Sequence, residues 1–150
     1  MSTVSDIGGA ASSLRRPIAD AWAPRFLAFL RVITAFLFIE HGLMKLVGFP
    51  APMPGLPHPL PAMLILAALI EVVGGGLLAA GLFTRVTAFI ASGEMAIAYF
   101  MVHAQKGFWP ALNLGEPAIL FCFIYLYMAF AGPGALSLDA QFRRRRTAAP

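Results

Sequence analysis

FLAFLRVITAFLFIEHGLMKLV, residues 26–47, decides how the rest of the chain is read. A helix needs roughly 20 mostly apolar residues, each rising about 1.5 Å, to cross the hydrocarbon layer of a bilayer. This stretch is long enough, yet it holds Arg31, Glu40, His41 and Lys45. Ionisable groups are costly against lipid, so each is a candidate for function or for a buried partner. With Arg31 as the reference and 100° per residue, Thr34, Phe38, His41 and Lys45 fall within about 80° on one side. Glu40 falls about 130° from the centre of that stripe, and is expected to face another neighbour or reach for the interface.

Composition extends this reading to the whole chain. Hydrophobic residues make up 59% of the 150 and charged residues 12%, with a mean hydropathy of +0.78. That charge content is about half of what a soluble domain carries, which points to a polytopic membrane protein. The net charge is +4, but the basic residues gather at Arg15, Arg16, Arg25 and Arg143 to Arg146. They are not interleaved with aromatic residues, so they are read as topological signals and no nucleic-acid partner is expected. Residues 1–24 hold no apolar core of the signal-peptide kind, so the first span is expected to act as an uncleaved anchor. Cys122 is the single cysteine, which excludes an internal disulfide and a CxxC redox pair.

Three more spans follow. The loop GFPAPMPGLPHPLP, residues 48–61, has too many prolines to be helical, and His58 within it is read as inert. The second span covers about 60–82 and carries one charge, Glu71. Ala67, Ala68, Gly74 and Gly75 lie within about 60° of it. Such a small-residue face admits a neighbouring helix backbone, so Glu71 is expected to point into the bundle. The third span, about 86–103, carries Glu94 beside Thr87, Ala91 and Ala98. The fourth begins at Glu116–Pro117, where proline suits the first turn and the carboxylate suits the helix dipole, and ends at Gly132–Pro133–Gly134.

The expected fold is therefore all-α, a four-transmembrane-helix up-down bundle in a lipid bilayer. Residues 1–24 are expected as a mobile cytoplasmic tail, 25–140 as the membrane domain and 141–150 as a basic cytoplasmic tail. Arginine marks both tails and the turn at 82–86, whereas the other two loops carry only Lys106. By the positive-inside rule both termini are expected on the cytoplasmic side.

Counting rise along each span places the charges in two layers. Arg31, Glu94 and Glu71 lie about 8, 12 and 16 Å above the cytoplasmic end. Glu40, His41, Lys45, His103, Lys106 and Glu116 fall in the outer third. The middle layer is either structural, with Glu71 and Glu94 paired to Arg31 or protonated, or directly functional. In the outer layer, at least three of His41, Lys45, His103 and Glu116 are expected to converge on one pocket that relays protons or binds a polar headgroup. The three histidines lack ligand spacing, so no metal site is expected.

The segments HGLMK (41–45), EVVGGG (71–76), GLFTR (81–85), AIAYFMVHAQKGFW (96–109) and GPGALSLDA (132–140) together resemble the DoxX family. The resemblance covers about 26–140 and rests on the set rather than on any one motif. The family consists of small four-helix bacterial membrane proteins, named for a subunit of a quinone-linked thiosulfate oxidoreductase, and other members are linked to thiol and oxidative-stress systems. His41, Gly42, Lys45, Glu71, His103, Glu116 and Ser137 to Asp139 match its pattern. The resemblance implies an accessory redox subunit with quinone as a possible ligand, no covalent cofactor, and membrane redox subunits as partners. A small-solute or proton conduit, or a purely structural membrane subunit, are the alternatives. The missing cysteine pair departs from thiol-using members.

Overall fold

Four long helices account for most of residues 18–147, the part of the chain that the computed structural model describes. Helix α1 is Ile18–Leu46. Helix α2 is Ala62–Ala80, interrupted by a π turn at Ile70–Gly74. Helix α3 is Thr84–Lys106, ending in a π turn at Tyr99–His103 and a 3-10 turn. After the short α4 (Pro110–Asn113) come α5 (Glu116–Ala131) and α6 (Leu138–Thr147). Among the described residues there is no strand.

Helices α1, α2 and α3 are long and apolar enough to cross a membrane; α5, also apolar, has 16 residues. Large apolar side chains such as Phe36, Leu66, Phe89, Phe123 and Phe130 face outward on all four. That apolar exterior is the surface expected of a protein that lipid solvates.

Neighbouring helices run antiparallel, and a few contacts set their register. On α1 and α2, Gly42 meets Ala68 and Glu71, Gly75 meets Ala35 and Ile39, and Arg31 meets Leu78 and Ala79. On α3 and α5, Ser92 Oγ donates to the Cys122 carbonyl at 2.8 Å and Arg85 meets Ala129 and Phe130. Tyr125 of α5 donates to the Thr34 carbonyl of α1 at 2.9 Å, and Phe38 packs on Phe121 and Tyr125. Phe38, Leu78, Ala88, Ala91, Met95, Phe121, Tyr125 and Met128 form the core. One end of the bundle gathers the start of α1, the α2–α3 turn, the 132–137 segment and α6, and is called here the basic end. The opposite, loop end carries residues 47–61 and 107–115.

Two tail boundaries differ from expectation. The helix begins at Ile18, not near residue 26, and runs through Pro24. Proline removes one intrahelical hydrogen bond. The helix is held here from outside: the Pro24 carbonyl accepts the Ala135 N–H at 2.8 Å and Gly134 packs on the same turn, so the 132–137 segment braces this part of α1. The expected basic tail likewise begins as helix α6, because Asp139 is tied to the α2–α3 turn. Residues 1–17 of the expected N-terminal tail, and 148–150 of the C-terminal one, lie outside the described residues.

Candidate functional site

The site begins with two glycines. A Cβ on Gly42 would stand 2.6 Å from Val72 Cγ2 and 2.8 Å from the Ala68 carbonyl; one on Gly75 would stand 2.5 Å from Ile39 Cγ1. Only hydrogen at these positions lets α1 and α2 approach so closely. Glu71, on the small-residue face that the spacing predicts, is 1% exposed. It lies in the π turn, which adds a residue to one helical turn and re-aims its side chains; such turns recur at functional sites.

Lys45, one turn beyond Gly42, reaches back to this carboxylate. Its Nζ stands 2.6 Å from Oε1 and 2.7 Å from Oε2, the single ion pair among the described residues. Both charges are largely withdrawn from solvent, so their attraction is weakly screened and the loss of either would strand the other.

Glu94 on α3 is the second carboxyl of this region, with Lys45 and Glu71 within its electrostatic reach. Its Oε2 is buried with no hydrogen-bond partner among the described residues. Buried carboxyl oxygens are rarely left unpartnered, because the lost solvation is not recovered. His41 lies within electrostatic reach of Glu71 and packs edge-on against Phe121, with ring centroids 5.9 Å apart. Its Nδ1 is 2.8 Å from the Leu37 carbonyl. A carbonyl only accepts, so Nδ1 carries a proton and Nε2 of the neutral ring is left as an acceptor.

The expected layers are thereby regrouped. Arg31 meets neither Glu71 nor Glu94. It is 1% exposed at the basic end, with Nε donating to Pro133 O and Nη2 to Leu136 O, each at 3.0 Å. Its Nη1 donates to Ala79 O at 2.8 Å and to Leu78 O. The guanidinium thus takes carbonyls at the end of α2 and in the segment after α5, an all-backbone solution that composition does not reveal. Lys45 moves the other way, from the outer layer to Glu71.

The remaining candidates make no hydrogen bond to this pair among the described residues. His103 ends the π turn of α3, its Nδ1 3.1 Å from the Asn113 carbonyl and its ring stacked on Tyr99. Glu116 is exposed at the start of α5, Glu40 is half-buried and Lys106 is exposed. No hydrogen bond among the described residues joins His41, Lys45, His103 and Glu116 to one another.

Three features escaped sequence reasoning. Asn113 is 1% exposed and pins the loop end, donating to Gly107 O and accepting from Gly115 N, both at 2.8 Å. Tyr125 ties α5 to α1 from within an unbroken apolar run. The two π turns carry no sequence signal beyond the glycines that follow the first.

The DoxX family model matches residues 26–104, which cover α1 from Phe26 onward, all of α2 and nearly all of α3. This chain belongs to the DoxX family. An uncharacterized protein of Haemophilus influenzae is 47% identical over 133 residues, covering 84% of this chain and 97% of that protein. No solved structure matches. As a DoxX protein the chain is a membrane protein of apolar helices, and the site residues of α1 and α2 lie within the matched region.

Proposed function

We propose that this DoxX protein crosses the bacterial inner membrane with α1, α2, α3 and α5, both termini cytoplasmic, and that Lys45, Glu71 and Glu94 form a membrane-embedded acid–base site. The site exchanges a proton with the headgroup of a lipid-soluble redox carrier of the quinone class. α5 rises only about 24 Å, short of the roughly 30 Å hydrocarbon layer. The Gly132–Ser137 segment and α6 supply the rest of its anchoring at the basic end.

The observation that carries the reading is the unpartnered Glu94 Oε2 beside the Lys45–Glu71 pair. A proton on Glu94 removes the charge that makes an unpartnered buried oxygen costly, and a hydroxyl from a bound headgroup gives that oxygen a donor. Lys45 is the donor suited to a carbonyl oxygen, and Glu71 holds it in place through both carboxylate oxygens. His41 Nε2 offers a second acceptor. A quinone supplies the carbonyl that becomes a hydroxyl on reduction. The association with a redox system rests on the family resemblance, whereas proton exchange rests on these residues.

A conduit through the bundle has less support. Phe38, Phe121 and Tyr125 are buried and pack ring against ring in the section between Lys45–Glu71 and Arg31, where a file of water would have to pass.

The test is infrared difference spectroscopy of the full chain in lipid nanodiscs. A protonated-carboxyl band that titrates with pH, disappears in Glu94→Gln and shifts when a water-insoluble benzoquinone is added is the expected result. A band insensitive to both the substitution and the quinone would reject the proposed site.

A further inference from the structure

The basic end carries a second polar region that the Lys45–Glu71 site does not use. Arg143 to Arg146 are all exposed on α6, and a groove of about 570 Å³ runs beside that helix. Leu27 of α1 and Tyr127 and Ala131 of α5 form its apolar wall, and Arg85, Arg143 and Arg144 its basic one. No acidic residue lines it. Tyr127 and the neighbouring Phe130 are 60% and 74% exposed, so the apolar wall continues into the outward-facing apolar surface of the bundle.

Arg85 is fixed before any ligand arrives. Its Nη1 donates to Ala129 O at 3.0 Å and to Phe130 O at 2.6 Å, which anchors the guanidinium at the C-terminus of α5. Nε and Nη2 have no protein acceptor among the described residues. A planar guanidinium with free donors beside two further arginines matches the geometry and charge of a phosphodiester.

A second groove, of about 620 Å³ on the other side of α6, also touches Arg85 and Arg143 but contains Asp139. Burial alone would raise the Asp139 pKa, but the Thr84 and Phe83 amides and nearby Arg143 outweigh it and hold the carboxyl below its ordinary range. It is a carboxylate at neutral pH and repels an anion from that side. The two grooves therefore differ in what they accept.

We infer that the groove between α1, α5 and α6 binds the phosphodiester headgroup of an anionic glycerophospholipid, through Arg85, Arg143 and Arg144, with its acyl chains along Leu27 and Tyr127. The apolar wall is what selects a lipid over a soluble phosphate: a free anion gains nothing from it. The arrangement also distinguishes arginines that composition alone treats alike. Arg143 and Arg144 line this groove, Arg146 lines the other, and Arg145 lines neither.

The test uses the full chain in detergent, exchanged free of lipid and titrated with phosphatidylglycerol under native mass spectrometry. One phosphatidylglycerol is expected to be retained in preference to phosphatidylcholine. Arg143→Gln with Arg144→Gln should weaken that retention roughly tenfold or more, as expected for losing charge-assisted contacts. Arg145→Gln with Arg146→Gln removes the same charge and should leave retention within about twofold, because that pair lies outside the groove. Equal losses in the two variants would mean a diffuse electrostatic surface and overturn the inference. So would equal retention of phosphatidylcholine, or displacement of the lipid by glycerophosphate at similar concentration, which would assign a soluble anion instead. Matched melting temperatures of the two variants separate lost binding from lost folding. Should the first variant unfold, Arg144→Gln against Arg145→Gln repeats the comparison.

Discussion

Arg31 and Lys45 lie on the same face of α1, about four turns apart, and the two ends of the bundle treat them differently. At the basic end Arg31 bonds no acid, although Asp139 lies within its electrostatic reach; every hydrogen-bond partner is a backbone carbonyl, drawn from two segments that end helices. The same end is knotted further by Asp139, which accepts the Phe83 and Thr84 N–H groups at 2.9 Å, and by Arg85 on the last carbonyls of α5. Gly81, at φ 67°, closes α2 with the Leu82→Leu77 and Gly81→Leu78 hydrogen bonds of a Schellman turn. At the loop end Lys45 has one acidic partner, and a buried carboxyl oxygen nearby has none. A buried charge whose bonds all go to its own backbone is holding the fold. A buried charge beside an unsatisfied acceptor has chemistry left to do.

If that contrast is right, the largest effect belongs to Arg31. Arg31→Leu leaves the Ala79, Pro133 and Leu136 carbonyls without their donor, Leu78 keeping the Gly81 N–H, and should destabilise the bundle by roughly 3 kcal/mol or more, read as a fall in melting temperature in detergent or as failure to assemble. A near-normal melting temperature would break the comparison at its stronger side.

Next comes the helix contact that brings Lys45 to Glu71. Gly42→Val should cost about 1–3 kcal/mol by overpacking α1 against α2, with the proton-exchange signal lost as well. Lys45→Ala belongs in the same range, since it leaves Glu71 buried and unpaired. Glu71→Gln should be tolerated better than Glu71→Leu, because Gln keeps a hydrogen-bonding end for Lys45. Thermal unfolding of the four variants in one detergent ranks them directly.

A smaller effect is expected at Asp139, which caps the start of α3. Asp139→Asn should lower stability by about 1 kcal/mol, as for other N-terminal capping losses. The pH dependence has a definite sign. The folded pKa lies below the unfolded one, so the stabilisation is complete above the ordinary aspartate range and is lost as pH falls through the folded value. Melting curves of wild type and variant should therefore differ at neutral pH and converge in acid; a gap that widens in acid would contradict the assignment.

The smallest structural effect, and the sharpest test of the contrast, is at Glu94. Glu94→Gln should change stability by no more than about 1 kcal/mol, the centre of the range for single substitutions, because Gln keeps the side chain's size and breaks no hydrogen bond of Oε2, while removing the titrating carboxyl signal. If it instead unfolds the protein, the loop end is held together by Glu94 as the basic end is by Arg31.

Much of this molecule was legible before any coordinate. The all-helical class, the start of α5 at Glu116 and the inward aim of Glu71 follow from local composition and 100° periodicity. Sequence reasoning faltered where a distant segment supplied the partner. Pro24 reads as a helix breaker until Gly134 and Ala135 pack on it, and Asp139 reads as tail until it caps α3. Arg31 and Glu71 look like a natural pair by sign and depth, yet depth counted along isolated helices ignores how far each slides against its neighbour.

By itself, then, the sequence determined which segments are helical and which face of each turns inward, because both are properties of consecutive residues. Which inward-facing charges meet was decided only by the tertiary structure. The notches at Gly42 and Gly75 set the axial register of α1 against α2, and the 132–139 segment folds back over the basic end. Side-chain reach is a few ångströms, and Arg31 stands opposite Leu78, about two turns along α2 from Glu71, so Glu71 falls to Lys45 and Arg31 to the backbone.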